Sequence, residues 1–231
     1  MTQTTITAPG GGSFTAYVAS PKRESAGAVV LIQEVFGVND AMRETANYVA
    51  DLGFLAICPD LFWRIKPGID LTDKSEAEWK QAVAYMNEFD QDRGIEDLRA
   101  TVAAARTMPG SNGRVGTMGY CLGGRLAMMM ALRSDADINI SYYGVGLDAF
   151  LGELYRVHAP LLLHLAGEDA FFPAEARAKV LAAAEGQTHI RAWSYPAADH
   201  AFARVGGTHW QGLAAAIANG RSAEALTAAL R

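Results

Sequence analysis

Apolar and polar positions follow two different periods along this chain, and the switching between them predicts its elements. Ala28-Val29-Val30-Leu31-Ile32 is an unbroken apolar, largely β-branched run, the pattern of a strand buried on both faces. Phe14 to Ala19 alternates instead, which predicts an edge strand. Helical spacing takes over at Met42, Ala46 and Val49, with Asn39 able to cap the helix and Gly53 past its end. Phe54 to Cys58 returns to strand and is stopped by Pro59. A loop follows from Leu61 to Asp73, punctuated by Pro67-Gly68. Ser75-Glu76-Ala77-Glu78 is a capping-box pattern opening a helix through about Asn87, and a second helix is expected from about Asp92 to Met108. Further strands are predicted at Val115 to Met118, Ile138 to Tyr142, Leu161 to Leu165 and Ile190 to Tyr195. Helices are predicted at Leu122 to Leu132 and from Pro173 to about Glu185, and the Ala-rich tail is helical with a weak point at Gly220.

This alternation predicts an α/β fold: a doubly wound, mostly parallel sheet with helices on both faces. The absence of a repeat, linker or low-complexity block predicts one domain over residues 1–231, and a chain that is 50% apolar can fill its core. The formal charge of -5 and the lack of any Lys/Arg-rich block argue against a nucleic-acid partner. Met1 to Gly12 is Thr- and Gly-rich without a basic, then apolar, leader pattern, so no signal peptide is expected. No apolar stretch reaches the roughly 18 residues of a membrane span. Cys58 and Cys121 have neither the density of a disulfide scaffold nor the spacing of a metal site. The expectation is a cytoplasmic protein with no metal, no membrane association and no obligate protein partner.

Candidate chemistry begins at Gly119-Tyr120-Cys121-Leu122-Gly123-Gly124, between a predicted strand and a predicted helix. A nucleophile on such a strained elbow needs small residues two positions to either side, and both are glycine here. The following helix N-terminus favours a thiolate, and the Leu122 N–H would point at a carbonyl oxygen under attack. Taken alone, the turn fits a packed cysteine equally well. The downstream order favours catalysis. Asp169 follows the strand at Leu161 to Leu165, with Glu168 as its fallback, and His200 follows the strand at Ile190 to Tyr195. Nucleophile, acid and histidine, each after a strand, is the chain order of the α/β-hydrolase fold. His164 fits a core strand, while His158, His189 and His209 lack a matching context. Directly after the run ending at Ile32, Val35 sits where the second oxyanion-hole N–H is donated. Glu34 beside it is either a solvated loop carboxylate or a second acid/base group.

With these segments assembled, the chain resembles the dienelactone hydrolase (carboxymethylenebutenolidase) family. The shared motifs are Gln33-Glu34-Val35-Phe36-Gly37-Val38-Asn39, Cys58-Pro59-Asp60-Leu61, the cysteine elbow, Tyr142-Tyr143-Gly144-Val145-Gly146 and His200-Ala201-Phe202-Ala203-Arg204. The resemblance implies cofactor-free hydrolysis of dienelactone to maleylacetate, a small and anionic substrate. It implies a Cys121, Asp169, His200 triad, an oxyanion hole from Val35 and Leu122, and substrate contacts at Arg204 and Phe36 and at the helix positions of Trp79, Val83 and Met86. It further implies that Arg204 holds Glu34 until an anionic substrate takes the arginine, freeing Glu34 to accept the thiol proton.

One helix departs from the pattern. Where dienelactone-specific members carry arginine, tyrosine and tryptophan, this chain has Trp79, Val83 and Met86. Arg125, one turn into the elbow helix, either meets a substrate carboxylate in place of the missing arginine or pairs within the fold; Arg64 is the other candidate. The altered helix also admits a different ester or thioester. A non-catalytic ligand-binding homologue would be marked by a lost triad residue, and none is lost.

Overall fold

The computed structural model describes residues 2–22 and 26–231. Eight strands form one sheet: β1 (Thr2–Thr7), β2 (Ser13–Ala19), β3 (Ala26–Ile32), β4 (Leu55–Pro59), β5 (Ser111–Tyr120), β6 (Ile138–Tyr142), β7 (Leu161–Ala166) and β8 (Ile190–Tyr195). Their order is β1-β2-β4-β3-β5-β6-β7-β8. The β1–β2 and β2–β4 pairs are antiparallel and the remaining five are parallel. Helices α1 (Asp40–Asp51), α2 (Glu76–Glu88), α3 (Gln91–Thr107), α4 (Leu122–Arg133), α5 (Ala174–Ala184) and α6 (Gly212–Leu230) flank it, and 3-10 turns over Leu147–Arg156 join β6 to β7.

The apolar runs explain the middle of the sheet. All residues of β3, β4, β6 and β7 are buried, as strands covered on both faces must be. Register then sets the position of the site. Ile32 pairs with Gly119, Tyr120 with Tyr142, Tyr142 with His164, and Ala166 with Tyr195. The chain therefore leaves β3, β5, β7 and β8 along one sheet edge, the carboxyl edge where open α/β sheets bind ligands.

Helix starts follow their caps. The Asn39 side chain accepts the Met42 N–H at 3.1 Å, and Ser75 accepts that of Glu78 at 3.3 Å. The Glu78 carboxylate turns away from the reciprocal capping bond. It accepts from Thr72 N at 3.1 Å and Thr72 Oγ1 at 2.8 Å, tying the preceding loop to α2.

Two expectations are corrected. Phe14 to Ala19 is not an edge strand: β1 lies outside it. Only Ile6 of β1 is buried, so its pattern carried no apolar alternation, whereas its threonines suit an exposed strand. Met1 lies outside the described residues. Pro59 is the last residue of β4 rather than a residue beyond it. The Ala-rich tail is helical as expected, and α6 runs through Gly220 from Gly212 to Leu230. Among the described residues no helix is long and apolar enough to cross a membrane, and no group of three or more His, Cys, Asp or Glu side chains could hold a metal ion. Cys58 and Cys121 are both free and buried.

Candidate active site

Cys121 occupies the turn between β5 and α4 with φ 55° and ψ −115°, a left-handed conformation unfavourable to a side chain. Its neighbours show why the sequence permits it. A Cβ on Gly119 would stand 2.0 Å from the Gly123 carbonyl oxygen, and one on Gly123 would stand 2.2 Å from that of Ile32. A Cβ on Gly124 would meet the Tyr142 carbonyl oxygen at 2.5 Å. The three glycines let the elbow nest between the ends of β3 and β6, where the Cys121 N–H donates to the Tyr142 carbonyl at 3.1 Å. The same closeness brings the loop carrying Glu34 and Val35 against the start of α4. Leu122 is the first residue of that helix.

The loop after β7 holds Asp169, 4% exposed, and the loop after β8 holds His200, 6% exposed. Asp169 Oδ2 accepts from His200 Nδ1 at 2.8 Å, and its Oδ1 accepts the Phe171 N–H at 2.9 Å. The carboxylate thereby fixes the tautomer and leaves Nε2 for other chemistry. Glu168, the fallback acid, is exposed. Burial by itself lowers the His200 pKa, but negative charge on Cys121 and the bonds to Asp169 and Cys121 outweigh it and push it up to about 10. Arg177 on α5 pins the Asp169 loop, donating to the carbonyls of Gly167, Asp169 and Phe172.

Glu34 is 2% exposed and Arg204 is 7% exposed. They form a bidentate pair, Nε to Oε2 at 2.5 Å and Nη2 to Oε1 at 3.1 Å. Burial alone would lower the Arg204 pKa, but Glu34 first, with Tyr143 and Asp73, holds it well above its usual value. The guanidinium carbon lies 4.9 Å from the Phe36 ring centre. Tyr143 joins the cluster with φ 37° and its ring 5.2 Å from that of His200. Its buried hydroxyl has no hydrogen-bond partner among the described residues.

A cavity of about 340 Å³ opens beside His200 and Arg204, walled by Trp79, Phe171, Asp73 and Thr208. That volume suits a small ligand. Trp79 therefore reaches the site, packed between Phe36 and Phe171 with tilted rings whose centres lie 5.8 Å from its own. Val83 and Met86 do not line this cavity, and Phe36 is wholly buried beneath Arg204 and Trp79. Neither substitute arginine reaches it. Arg125 donates to Gln91 Oε1 and to the Val145 and Gly146 carbonyls, and Arg64 pairs with buried Asp97. The buried His164 bonds to Tyr195 and Ser222, and burial pushes its pKa down to about 3. His209, which lacked a context in the sequence, sits at the cavity wall with its Nδ1 2.8 Å from Asp199.

The profile of the dienelactone hydrolase family matches residues 14–230. A relative from Azospirillum brasilense named "Putative carboxymethylenebutenolidase" is 51% identical over 225 residues, covering 96% of each chain. A carboxymethylenebutenolidase from Pseudomonas putida is 40% identical, covering 91% of this chain and 89% of its own. Among solved structures, a "Putative Dienelactone Hydrolase" from Klebsiella pneumoniae superimposes with a TM-score of 0.82 at 23% identity, covering 98% of both chains. The fold, the matched length and these relatives agree: the chain belongs to the dienelactone hydrolase family and is a hydrolase of that type.

Proposed function

We propose that this protein hydrolyses a small carboxylated lactone or ester through an acyl-enzyme on Cys121, with dienelactone (4-carboxymethylenebut-2-en-4-olide) its foremost substrate and maleylacetate the product. The observation that carries the proposal is the convergence of Asp169, His200 and Cys121 at the carboxyl edge of the sheet, with the Glu34–Arg204 pair beside them. The names of the relatives from Azospirillum and Pseudomonas support the choice of lactone.

The chemistry follows from these groups. An anionic substrate places its carboxylate on Arg204, and the displaced Glu34 carboxylate, in a largely dry pocket, gains enough basicity to take the Cys121 proton. The thiolate attacks the lactone carbonyl, and the N–H groups of Val35 and Leu122 receive the oxygen as it becomes negative. The carbon–oxygen ring bond breaks, and the departing enol oxygen takes up the proton that Glu34 received from Cys121. His200, oriented by Asp169, then removes a proton from water. The resulting hydroxide attacks the thioester, Cys121 leaves as a thiolate and takes that proton back from His200, and the product acid ionises to solvent as the free carboxylate forms. Every step uses side chains and backbone of this chain.

A second reading, hydrolysis of an uncharged ester, is favoured by the Trp79 and Phe171 walls of the cavity. The test compares cis-dienelactone with p-nitrophenyl acetate, using the protein and Cys121→Ala. Turnover of the lactone that disappears in Cys121→Ala is expected. Turnover of p-nitrophenyl acetate alone would support the second reading. Activity that survives the substitution would overturn the nucleophile, and turnover of neither compound would overturn both readings.

A further inference from the structure

Neither the triad nor the Glu34–Arg204 pair accounts for Asp73. It lies in the loop before α2, and its Oδ2 accepts from Arg204 Nη1 at 2.7 Å. The same oxygen accepts from Thr208 N and Thr208 Oγ1, both at 3.0 Å. The Asp73 and Arg204 side chains are only 9% and 7% exposed. Desolvation raises the Asp73 pKa, but the Thr208 and Arg204 bonds outweigh it and hold the carboxyl below its usual range. Thr72, the preceding residue, is fastened to Glu78. Asp73 is thus a placed, ionised carboxylate in the wall of the cavity beside His200.

Its position bears on charge. A guanidinium offers a carboxylate two forked faces, the Nε–Nη2 side and the Nη1–Nη2 end. Glu34 fills the first, and Asp73 takes the Nη1 half of the second. Two carboxylates therefore share one cation, leaving the cluster one unit negative before any substrate enters. The other titratable groups against it are Tyr143 and His200, with the Asp199–His209 pair at the same wall. A substrate carboxylate must displace one resident carboxylate from Arg204 and then lie close to it, and like charges brought together at a binding site are strongly disfavoured.

We propose that Asp73 is a specificity-determining residue, a resident carboxylate that competes with the substrate's own for Arg204. It weakens the binding of carboxylated substrates relative to uncharged ones of similar size, and so sets how readily Glu34 is released. This rests on the Cys121-dependent hydrolysis proposed above. The selectivity ratio, kcat/KM for cis-dienelactone over kcat/KM for p-nitrophenyl acetate, is the readout.

In Asp73→Asn this ratio should rise about tenfold or more, chiefly through a lower KM for the lactone. Thr208→Val keeps the carboxylate but removes one of its donors, and should move the ratio in the same direction by a smaller factor. A purely structural role would lower both activities together and leave the ratio in place. Calorimetric binding of maleate reads the same competition without turnover: it should tighten about tenfold in Asp73→Asn. An unchanged or lower ratio, or maleate binding that fails to tighten, overturns the role of Asp73 while leaving the Cys121 chemistry standing. Tighter maleate binding in a protein that turns over neither ester overturns the hydrolysis and keeps the competition.

Discussion

Gly119→Ala tests whether the cysteine elbow depends on close backbone approach. The added methyl carbon would lie 2.0 Å from the Gly123 carbonyl oxygen, 2.4 Å from its carbon and 3.1 Å from the Gly124 nitrogen. All three are backbone atoms in the first turn of α4, so no side-chain rotation relieves the overlap. Restoring an ordinary contact moves the start of α4 by roughly 1.5 Å or more away from β5. That helix is buried along most of its length, from Leu122 through Leu132, so the movement propagates into a close-packed core. Overpacking of this kind costs about 1–3 kcal/mol. Cys121 rides on the moving turn, and a misplacement of about 1 Å at a reacting atom costs on the order of a hundredfold in rate. Urea unfolding gives the first quantity, and the initial rate of lactone or ester hydrolysis gives the second. A variant with wild-type stability and full activity would refute the close-approach argument.

Two further outcomes follow from features of the same fold. Gly220→Ala should raise stability by about 0.5–1 kcal/mol in urea melts, because the position is helical and a Cβ there meets nothing within 4 Å; a loss of stability would contradict an unbroken α6. His200, raised from 6.5 to about 10, contributes stability that is fully present below its unfolded pKa and lost as pH climbs through its folded one. Unfolding free energy should therefore fall between about pH 6.5 and 10, and Cys121→Ala should flatten that fall and lower the His200 titration midpoint in NMR; equal midpoints in the two proteins would refute the coupling.

The parts legible in the sequence were those with a local signature. β6 and β8 coincide with the segments predicted as strands, and α1 and α2 begin at the expected caps. That Cys121, Asp169 and His200 gather at one sheet edge was legible because each follows a strand, and parallel register brings those strand ends together. β1 was not, because one buried residue in six makes no periodic signal. Arg177 and Asp73 were also invisible. Arg177 donates to backbone carbonyls, which carry no side-chain identity, and Asp73 meets an arginine 131 residues away across a surface that exists only after folding. Arg125 misled for a related reason: its place on the elbow helix was readable, but its orientation was set by Gln91 and two loop carbonyls.

The origin of the cavity walls has a consequence for how such a protein can diversify. Cys121, Asp169 and His200 follow the ends of β5, β7 and β8, whereas Asp73 and Trp79 belong to residues 61–88, a stretch that adds no strand to the sheet. Its first half is well fastened: Leu61 N–H donates to Gln33, Arg64 pairs with Asp97, Gly68 N–H donates to Asp60, Asn39 donates to the Leu71 carbonyl, and Asp73 meets Arg204 and Thr208. Only Ala82 of α2 is fully buried. The sequence of α2 is therefore under light packing constraint, and exchanging that helix between relatives amounts to changing the lock while keeping the bolt. Selection, or a protein engineer, can rewrite the Trp79 wall of the cavity here while leaving the ends of β5, β7 and β8 in place.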